Sequence, residues 1–552
     1  MIKRLSLLHA CSVALAGITL AAGAASAETV ALTLKSLGDG VPNAQPRVDH
    51  RPTLTAPNFS LRLVAQGTDA LENPSGVITN FGFLNDTSIQ PVEATKTEPD
   101  ENTYLVLDQN PGGPQADFDY GRHFLYQGHE NGNDLAYITR INLDVNDPDR
   151  RITLLTPVGP DGKTQLNRID GSTYNPRSST LLFTQENGPD GGVIEMQLGF
   201  NRMRDAAAGL RTLYGVMGRG GYEGIHPDDR GNIFIVEDVG GTGVNVKPSD
   251  PASPKAARNP NSFVYRFVPK DPTNLSHGGK LQALQVSIGG APVVYVPVDE
   301  SHLTGDVFSA NQLKLHTPGT SYPVKWVTVH DTTTDGIVEF DANAAAKIAG
   351  ATPFKRPENM QFKPGSGFQT FFFDTTGDTS VDSGNRPALA ARGAWGSIFR
   401  VNLDSTRDTG SISIFVLGTR THNSFDNLTF TTNRLLLAGE DRGDTLHEQL
   451  NALDSIWAFD TQLTNPPGVR LLALGRDKLA EADAAFGEAG TPGFQNDGDN
   501  ETTGLHFSNG GGLPGMPLPE SGGVLFFTQQ HGENNLYQIV GGTSGQSCDL
   551  FF

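Results

Sequence analysis

Six times along the chain a short, almost continuous apolar or aromatic run breaks off in a polar cluster that carries a carboxylate or a glycine. The copies run from His123 to Glu130, Thr180 to Gly188, Asn232 to Asp238, Phe368 to Asp378, Arg434 to Asp441 and Gly523 to Glu533. Runs without polar alternation suit strands buried on both faces. Second strand-like runs ending in a charge lie between several of them, as in Phe263 to Pro269 and Ser397 to Asp404. Sixty-four glycines and thirty-five prolines in 552 residues leave little room for long helices, and helical composition is confined to the regions near Ala342 to Ala349 and Arg476 to Ala489. The class is therefore all-β. A β-propeller repeats a few strands per blade around a channel, so its strand ends converge on one face. Six units predict a six-bladed β-propeller, although a β-sandwich would also place Gly and Asp after its strands.

The amino terminus reads as a secretory signal peptide over residues 1–27. Lys3 and Arg4 precede an apolar stretch from Leu5 to Ala22, and Ala25-Ser26-Ala27 stands before Glu28. The stretch is interrupted by His9, Cys11 and Ser12, which argues against a membrane anchor, and no later segment is apolar enough to span a bilayer. The protein is expected to be exported, to the periplasm or beyond, with no membrane partner. Its mature form keeps a single cysteine, Cys548, so neither an internal disulfide nor a thiolate-based zinc or iron–sulfur site is expected. The net charge of −20 becomes −22 once the signal segment, with Lys3 and Arg4 and no acid, is removed. Nucleic acid is excluded as a partner by that sign, and solubility accounts for most of the excess. Residues 28–552 read as one propeller domain with loop insertions at about 240–262 and about 476–500, and no linker divides them.

Carboxylates that end several strands facing one channel repel each other unless a cation or a proton lies between them. Oxygen donors without thiolate or a histidine pair favour calcium over zinc or copper. For any one of these acids a solvated turn is the competing reading, and only their convergence argues for metal.

Several segments resemble the PhoX-type alkaline phosphatase family, exported six-bladed propellers that hydrolyse phosphate monoesters at a site of calcium and iron. Phe354-Lys355-Arg356-Pro357-Glu358-Asn359 is similar to the family's Arg-Pro-Glu, and it precedes a Thr-rich turn, Asp374-Thr375-Thr376-Gly377-Asp378. Met217 to Gly224 resembles Gly-Arg-Phe-x-His-Glu, with Tyr222 in place of histidine, and implies Glu223 as a metal ligand. Phe425-Asp426-Asn427-Leu428 resembles a Pro-Asp-Asn motif whose aspartate binds metal. Asp499 to Leu505 and Gln530-His531-Gly532-Glu533 resemble the family's closing motifs. Glu186 matches a glutamate after a strand. The family's iron-ligating cysteine is missing, because the corresponding segment is Asn167 to Pro176. There Asp170 either offers an oxygen in its place or is a plain turn residue.

The resemblance implies an exported phosphatase acting on small phosphorylated substrates, with calcium and iron as cofactors. Arg356 would clamp phosphate, and Glu186, Glu223, Glu358, Asp426 and Asp170 would arrange metals. An acidic chain must reverse its field locally to bind a phosphate dianion, and an arginine that holds two oxygens does so. Arg356 pairing with a surface acid is the alternative. Two other functions compete with the phosphatase: a non-catalytic, calcium-stabilised binding propeller, and a calcium-dependent lactonase or phosphodiesterase-like hydrolase. His129, His226, His422, His506 and His531 stand beside polar loop residues without an identifiable serine–acid partner. Asp497 to Glu501 is a candidate calcium loop that lacks EF-hand spacing.

Overall fold

Glycine and proline interrupt the chain so often that its strands stay short, none among the described residues longer than ten. The computed structural model describes residues 37, 53–57, 59–85, 97–247, 249–450, 452–474, 501–508, 512–517, 523–530 and 534–541. The expected signal segment, the 476–500 insertion, the helix expected from Arg476, His531, Glu533 and Cys548 lie outside them. Within Lys35–Phe552 the architecture is all-β and propeller-like. Each apolar run of the repeat forms a strand, from His123–His129, Thr180–Gln185 and Ile233–Glu237 to Thr370–Thr375, Leu435–Glu440 and Leu525–Gln530. These strands are almost entirely buried, as runs without alternation require. The alanine-rich stretch forms the helix Ala342–Ile348, capped by Asp341, whose carboxylate accepts from the Ala344 amide.

Each of these strands pairs antiparallel with a more polar strand that precedes it. Those preceding strands are Pro99–Val106, Ile169–Asn175, Tyr222–Pro227, Met360–Phe362, Phe425–Phe430 and Glu501–Phe507. They contact one another in chain order, and the last returns to the first, so they form a closed inner ring. The amino-terminal strand Phe59–Ala65 completes the sheet of the carboxy-terminal strands by pairing with Leu536–Gly541. Leu54–Thr55 likewise extends the preceding sheet through Val469–Ala473.

The expectation of six separate blades is corrected. Four sheets of four or five strands stand as discrete blades, and the remaining described strands form one ten-stranded sheet and two small two-stranded ones. The cause is the strand Tyr322–Asp331, which pairs with Gly279–Ile288 on one side and Thr409–Leu417 on the other. Backbone hydrogen bonding thus continues across edges that would otherwise be exposed. Aromatic side chains fill the space inside this sheet. Phe354, Phe373 and Phe399 pack with ring centroids 5.0–5.4 Å apart, and Phe234 meets Phe362 edge-on at 4.9 Å. Each buried phenylalanine contributes about 1.5–3 kcal/mol.

A candidate metal centre at the start of the inner strands

The antiparallel register decides which side chains meet. Pro99 pairs with His129, Ile169 with Gln185, Tyr222 with Glu237, and Phe425 with Glu440. In every case the next residue of the inner strand is an acid, and so is the residue just past the end of its partner. The four pairs are Asp100 with Glu130, Asp170 with Glu186, Glu223 with Asp238, and Asp426 with Asp441. In every case the register also breaks at that acid, between Pro99 and Asn102, Ile169 and Ser172, Tyr222 and Ile225, and Phe425 and Leu428. A bulge re-aims the side chain it carries. Four repeats of one local device therefore direct eight carboxylates toward the same end of the ring.

Carboxylate oxygens gather there in groups of three, each within 4.8 Å of one another. The groups are Asp100–Glu130–Asp170, Asp170–Glu186–Glu223, Glu223–Asp238–Glu358 and Asp426–Asp441–Glu501, so ten acids take part. Asp170 and Glu223 each belong to two groups. The structure thus brings Glu186, Glu223, Glu358, Asp426 and Asp170 into one region. Arg356 lies among them. Its Nε donates to Asp238 Oδ2 at 2.7 Å and its Nη2 is 3.4 Å from Glu358 Oε1. The competing reading of Arg356 as the partner of a surface acid is not what is seen, since both partners are buried. Thr376 Oγ1 donates to Glu358 Oε1, and the Thr376 amide donates to the Arg356 carbonyl. The Thr-rich turn therefore holds the Arg-Pro-Glu segment in place. Arg168 is a second cation here, 3.1 Å from Glu130 Oε1. Both arginines take left-handed backbone, with φ of 54° for Arg356 and 48° for Arg168, a conformation that non-glycine residues adopt at sites where surrounding structure imposes it.

So many buried acids beside two arginines cannot all be ionised without further positive charge. Burial, followed by repulsion from Asp426 and Glu101, pushes Asp100 well above the usual carboxylate range. Burial and then Asp100 do the same to Asp170, burial and Glu130 to Glu186, and burial and Asp170 to Glu223. Glu358 is raised by burial and Asp238 against the pull of Arg356. Glu130 reaches about 8 and Asp426 about 6, burial being the first cause in both. Arg356 loses charge stability to burial but regains more from Asp238, Glu358 and Asp441, and its pKa rises.

Several carboxylates have partners that fix them in place. Glu101 accepts from the Ser172 amide at 2.7 Å and from Asn359 Nδ2, tying three inner strands or their entrances together. Asp100 accepts from Gln530 Nε2 at 3.0 Å, and Asp374 Oδ1 from the Asn359 amide at 2.8 Å. By contrast, Asp238 Oδ1 and Asp374 Oδ2 are buried without a hydrogen-bond partner. Among the described residues no histidine or cysteine joins the four groups. Orphaned carboxylate oxygens in an all-oxygen donor set fit hard cations of the calcium type.

The histidines lie elsewhere. His129 stacks on Tyr137 at 4.0 Å and contacts Thr97 and Thr139, a core role. His226 and His506 sit toward the other ends of their inner strands, lining a separate cavity with Gln361 and Phe362. The sequence reading named no individual metal ligand at Asp100, Glu130, Asp238 or Asp441, and reached Glu501 only through the candidate calcium loop Asp497 to Glu501. An acid as the second residue of a polar strand, followed by an acid at the end of the next apolar run, is the signal that identifies four of them.

The fold and site define an all-β, propeller-like protein with a buried carboxylate centre at one end of its inner ring. Residues 243–510 match the family model described as alkaline phosphatase PhoX, so the resemblance read from the motifs is shown over that stretch. It includes Arg356, Glu358, Asp426, Asp441 and Glu501. Among solved structures, PhoX of Pseudomonas fluorescens in complex with vanadate, a transition state analogue, is 13% identical with a TM-score of 0.52. The similarity covers 93% of this chain and 98% of that one. A gluconolactonase from Xanthomonas campestris is 10% identical over 90% of this chain and 99% of that one, with a TM-score of 0.36. A family AA12 carbohydrate-active enzyme from Trichoderma reesei is 11% identical over 90% and 100%, with a TM-score of 0.34. No curated protein matches the chain.

Proposed function

We propose that this protein is an exported, metal-dependent phosphatase that hydrolyses phosphate monoesters at the carboxylate centre. The reading takes residues 1–27 as its export signal and residues 28–552 as a single domain. The observation that carries it is the fourfold register of paired acids around Arg356. The PhoX match over residues 243–510 supports phosphatase-like hydrolysis as the reaction class.

Asp170, Glu186, Glu223, Glu358 and Asp426 would hold calcium, with iron as a second cation, together with Asp100, Glu130, Asp238, Asp441 and Glu501. Such cations neutralise the carboxylates and draw charge from phosphoryl oxygens. The chain's own work centres on Arg356. With Asp238 and Glu358 otherwise neutralised, its guanidinium is free to turn its donors on two oxygens of the phosphoryl group. The Thr376 contacts fix the Arg356 backbone and the Glu358 carboxylate, so the guanidinium would turn from a set position.

A second reading, a calcium-stabilised propeller that binds without catalysis, is favoured by Asp170 standing where the family has its iron-ligating cysteine. Metal-loaded protein assayed on monoesters, diesters and lactones separates the two. Turnover confined to monoesters supports the phosphatase, and turnover of none of the panel overturns it.

A further inference from the structure

Three segments that run on directly from the acid centre line one open cavity of about 390 Å³. Gly243 follows Asp238, the turn Asp378–Ser380 continues the one that grips Arg356, and Arg442-Gly443 follows Asp441. Gly243 belongs to the inserted hairpin, where Gly243–Val244 pairs with Ala257–Arg258, and the same hairpin contributes Lys255 and Arg258 to the lining. The hairpin is seated firmly. Val244, Val246 and Ala257 pack against Val307, Leu389 and Ala394, and the Arg258 amide donates to Asp378 Oδ1 at 3.0 Å.

Charge in this cavity is not balanced as it is elsewhere. Arg442 is spoken for by Glu440 at 2.8 Å, and Asp378 by Lys355 at 2.9 Å and by Ser383. The Arg258 guanidinium is half-buried, yet among the described residues it makes no hydrogen bond or ion pair. Lys255, exposed at the rim, makes none either. Burial, and then the like charge of Arg356, lower the Arg258 pKa, against the pull of Asp238, Asp378 and Glu358. In a chain with a net charge of −20, two cations beside the carboxylate centre that make no side-chain hydrogen bond or ion pair call for an anion from outside. The cavity has the volume of a small-molecule site.

We propose that Arg258, with Lys255 at the rim, forms an anion subsite that receives a second negative group carried on the leaving-group side of a phosphate monoester. The proposal rests on the phosphatase reading and names its preferred substrate class: monoesters whose alcohol bears a carboxylate or another phosphate. Arg258 is a specificity-determining residue. It holds the leaving group's charge, while Arg356 faces the transferred phosphoryl group.

The test uses the metal-loaded full chain, with phenyl phosphate and 4-carboxyphenyl phosphate as a matched pair. The wild type is expected to favour the carboxylated ester in kcat/KM, and Arg258→Gln to reduce that preference about tenfold, the worth of one charge-assisted hydrogen bond. Taking the ratio of the two esters removes effects common to both. Lys255→Gln, at an exposed position, is expected to reduce the ratio by a smaller factor and serves if Arg258→Gln fails to fold. Calorimetry with benzylphosphonate and its 4-carboxylate gives a readout independent of turnover, where Arg258→Gln is expected to abolish the preference for the diacid. Ester turnover with a ratio unchanged by either variant, or no diacid preference in the wild type, overturns the subsite and leaves the phosphatase standing. An Arg258-dependent phosphonate preference without turnover of either ester does the reverse.

Discussion

Arg356 sits where two demands conflict: it compensates Asp238 and Glu358 in the protein alone, and it is the group proposed to hold phosphate. Arg356→Ala is therefore expected to lower monoester kcat/KM about a hundredfold in the metal-loaded protein, since two charge-assisted hydrogen bonds are lost. Melting of the metal-loaded variant should change little, because cations replace the charge it removes. A loss of melting temperature that parallels the loss of activity would show that Arg356 is structural. Arg356→Gly is a useful companion, since it removes the same guanidinium and relieves a φ of 54°. Asp170 gives the second prediction at this scale. It belongs to two acid groups, so Asp170→Cys places a thiolate where both would feel it. The variant should bind iron more tightly and turn over monoesters faster than the wild type with added metal. If neither changes, the positional equivalence with the family's cysteine is wrong.

At the scale of the strand, the centre depends on bulges that let inner strands approach closely. A Cβ at Gly171 would lie 2.4 Å from the Glu223 carbonyl oxygen of the neighbouring inner strand. Gly171→Ala is expected to cost about 1–3 kcal/mol of stability and to weaken metal binding, measured by melting and by metal titration. The apolar strands of each hairpin were legible in the sequence because a buried strand announces itself by continuous hydrophobicity. Their polar inner partners were not. Pro99–Val106 opens on polar residues with no apolar run to mark them, and Glu501–Phe507 is marked only by the closing-motif resemblance, since these strands face an inner ring where side chains such as Asn102 and Thr503 donate to backbone carbonyls of neighbouring strands. Asp100 was missed for that reason. Glu223, Glu358, Asp426 and Asp170 were found through motif resemblance, but which acid each would face is a matter of register, and register is set by pairing between strands. The count of six separate blades failed at Tyr322–Asp331, whose double pairing joins two sheets through contacts that no local pattern encodes.

For the molecule as a whole, the acid centre makes stability depend on pH and metal together. Its carboxylates have raised pKa values when folded, so the folded state binds more protons than the unfolded one above pH 4, and stability falls as pH rises. The values of about 6 for Asp426, about 7 for Glu101 and about 8 for Glu130 place that loss between roughly pH 4 and 8 for metal-free protein. Calcium should abolish the slope by replacing protons as the neutralising charge. Melting curves across that range, with chelator and with calcium, are expected to diverge progressively toward high pH. Curves that stay parallel would mean that the acids are neutralised by something other than metal.

The central claim is that these carboxylates hold cations needed for phosphate monoester hydrolysis. The most direct measurement is metal content of the purified mature protein, taken together with monoester turnover before chelation, after it and after calcium is restored. The account predicts bound calcium in excess of iron, turnover lost on chelation, and turnover regained with calcium. Protein that carries no calcium and hydrolyses monoesters equally well in chelator would contradict it.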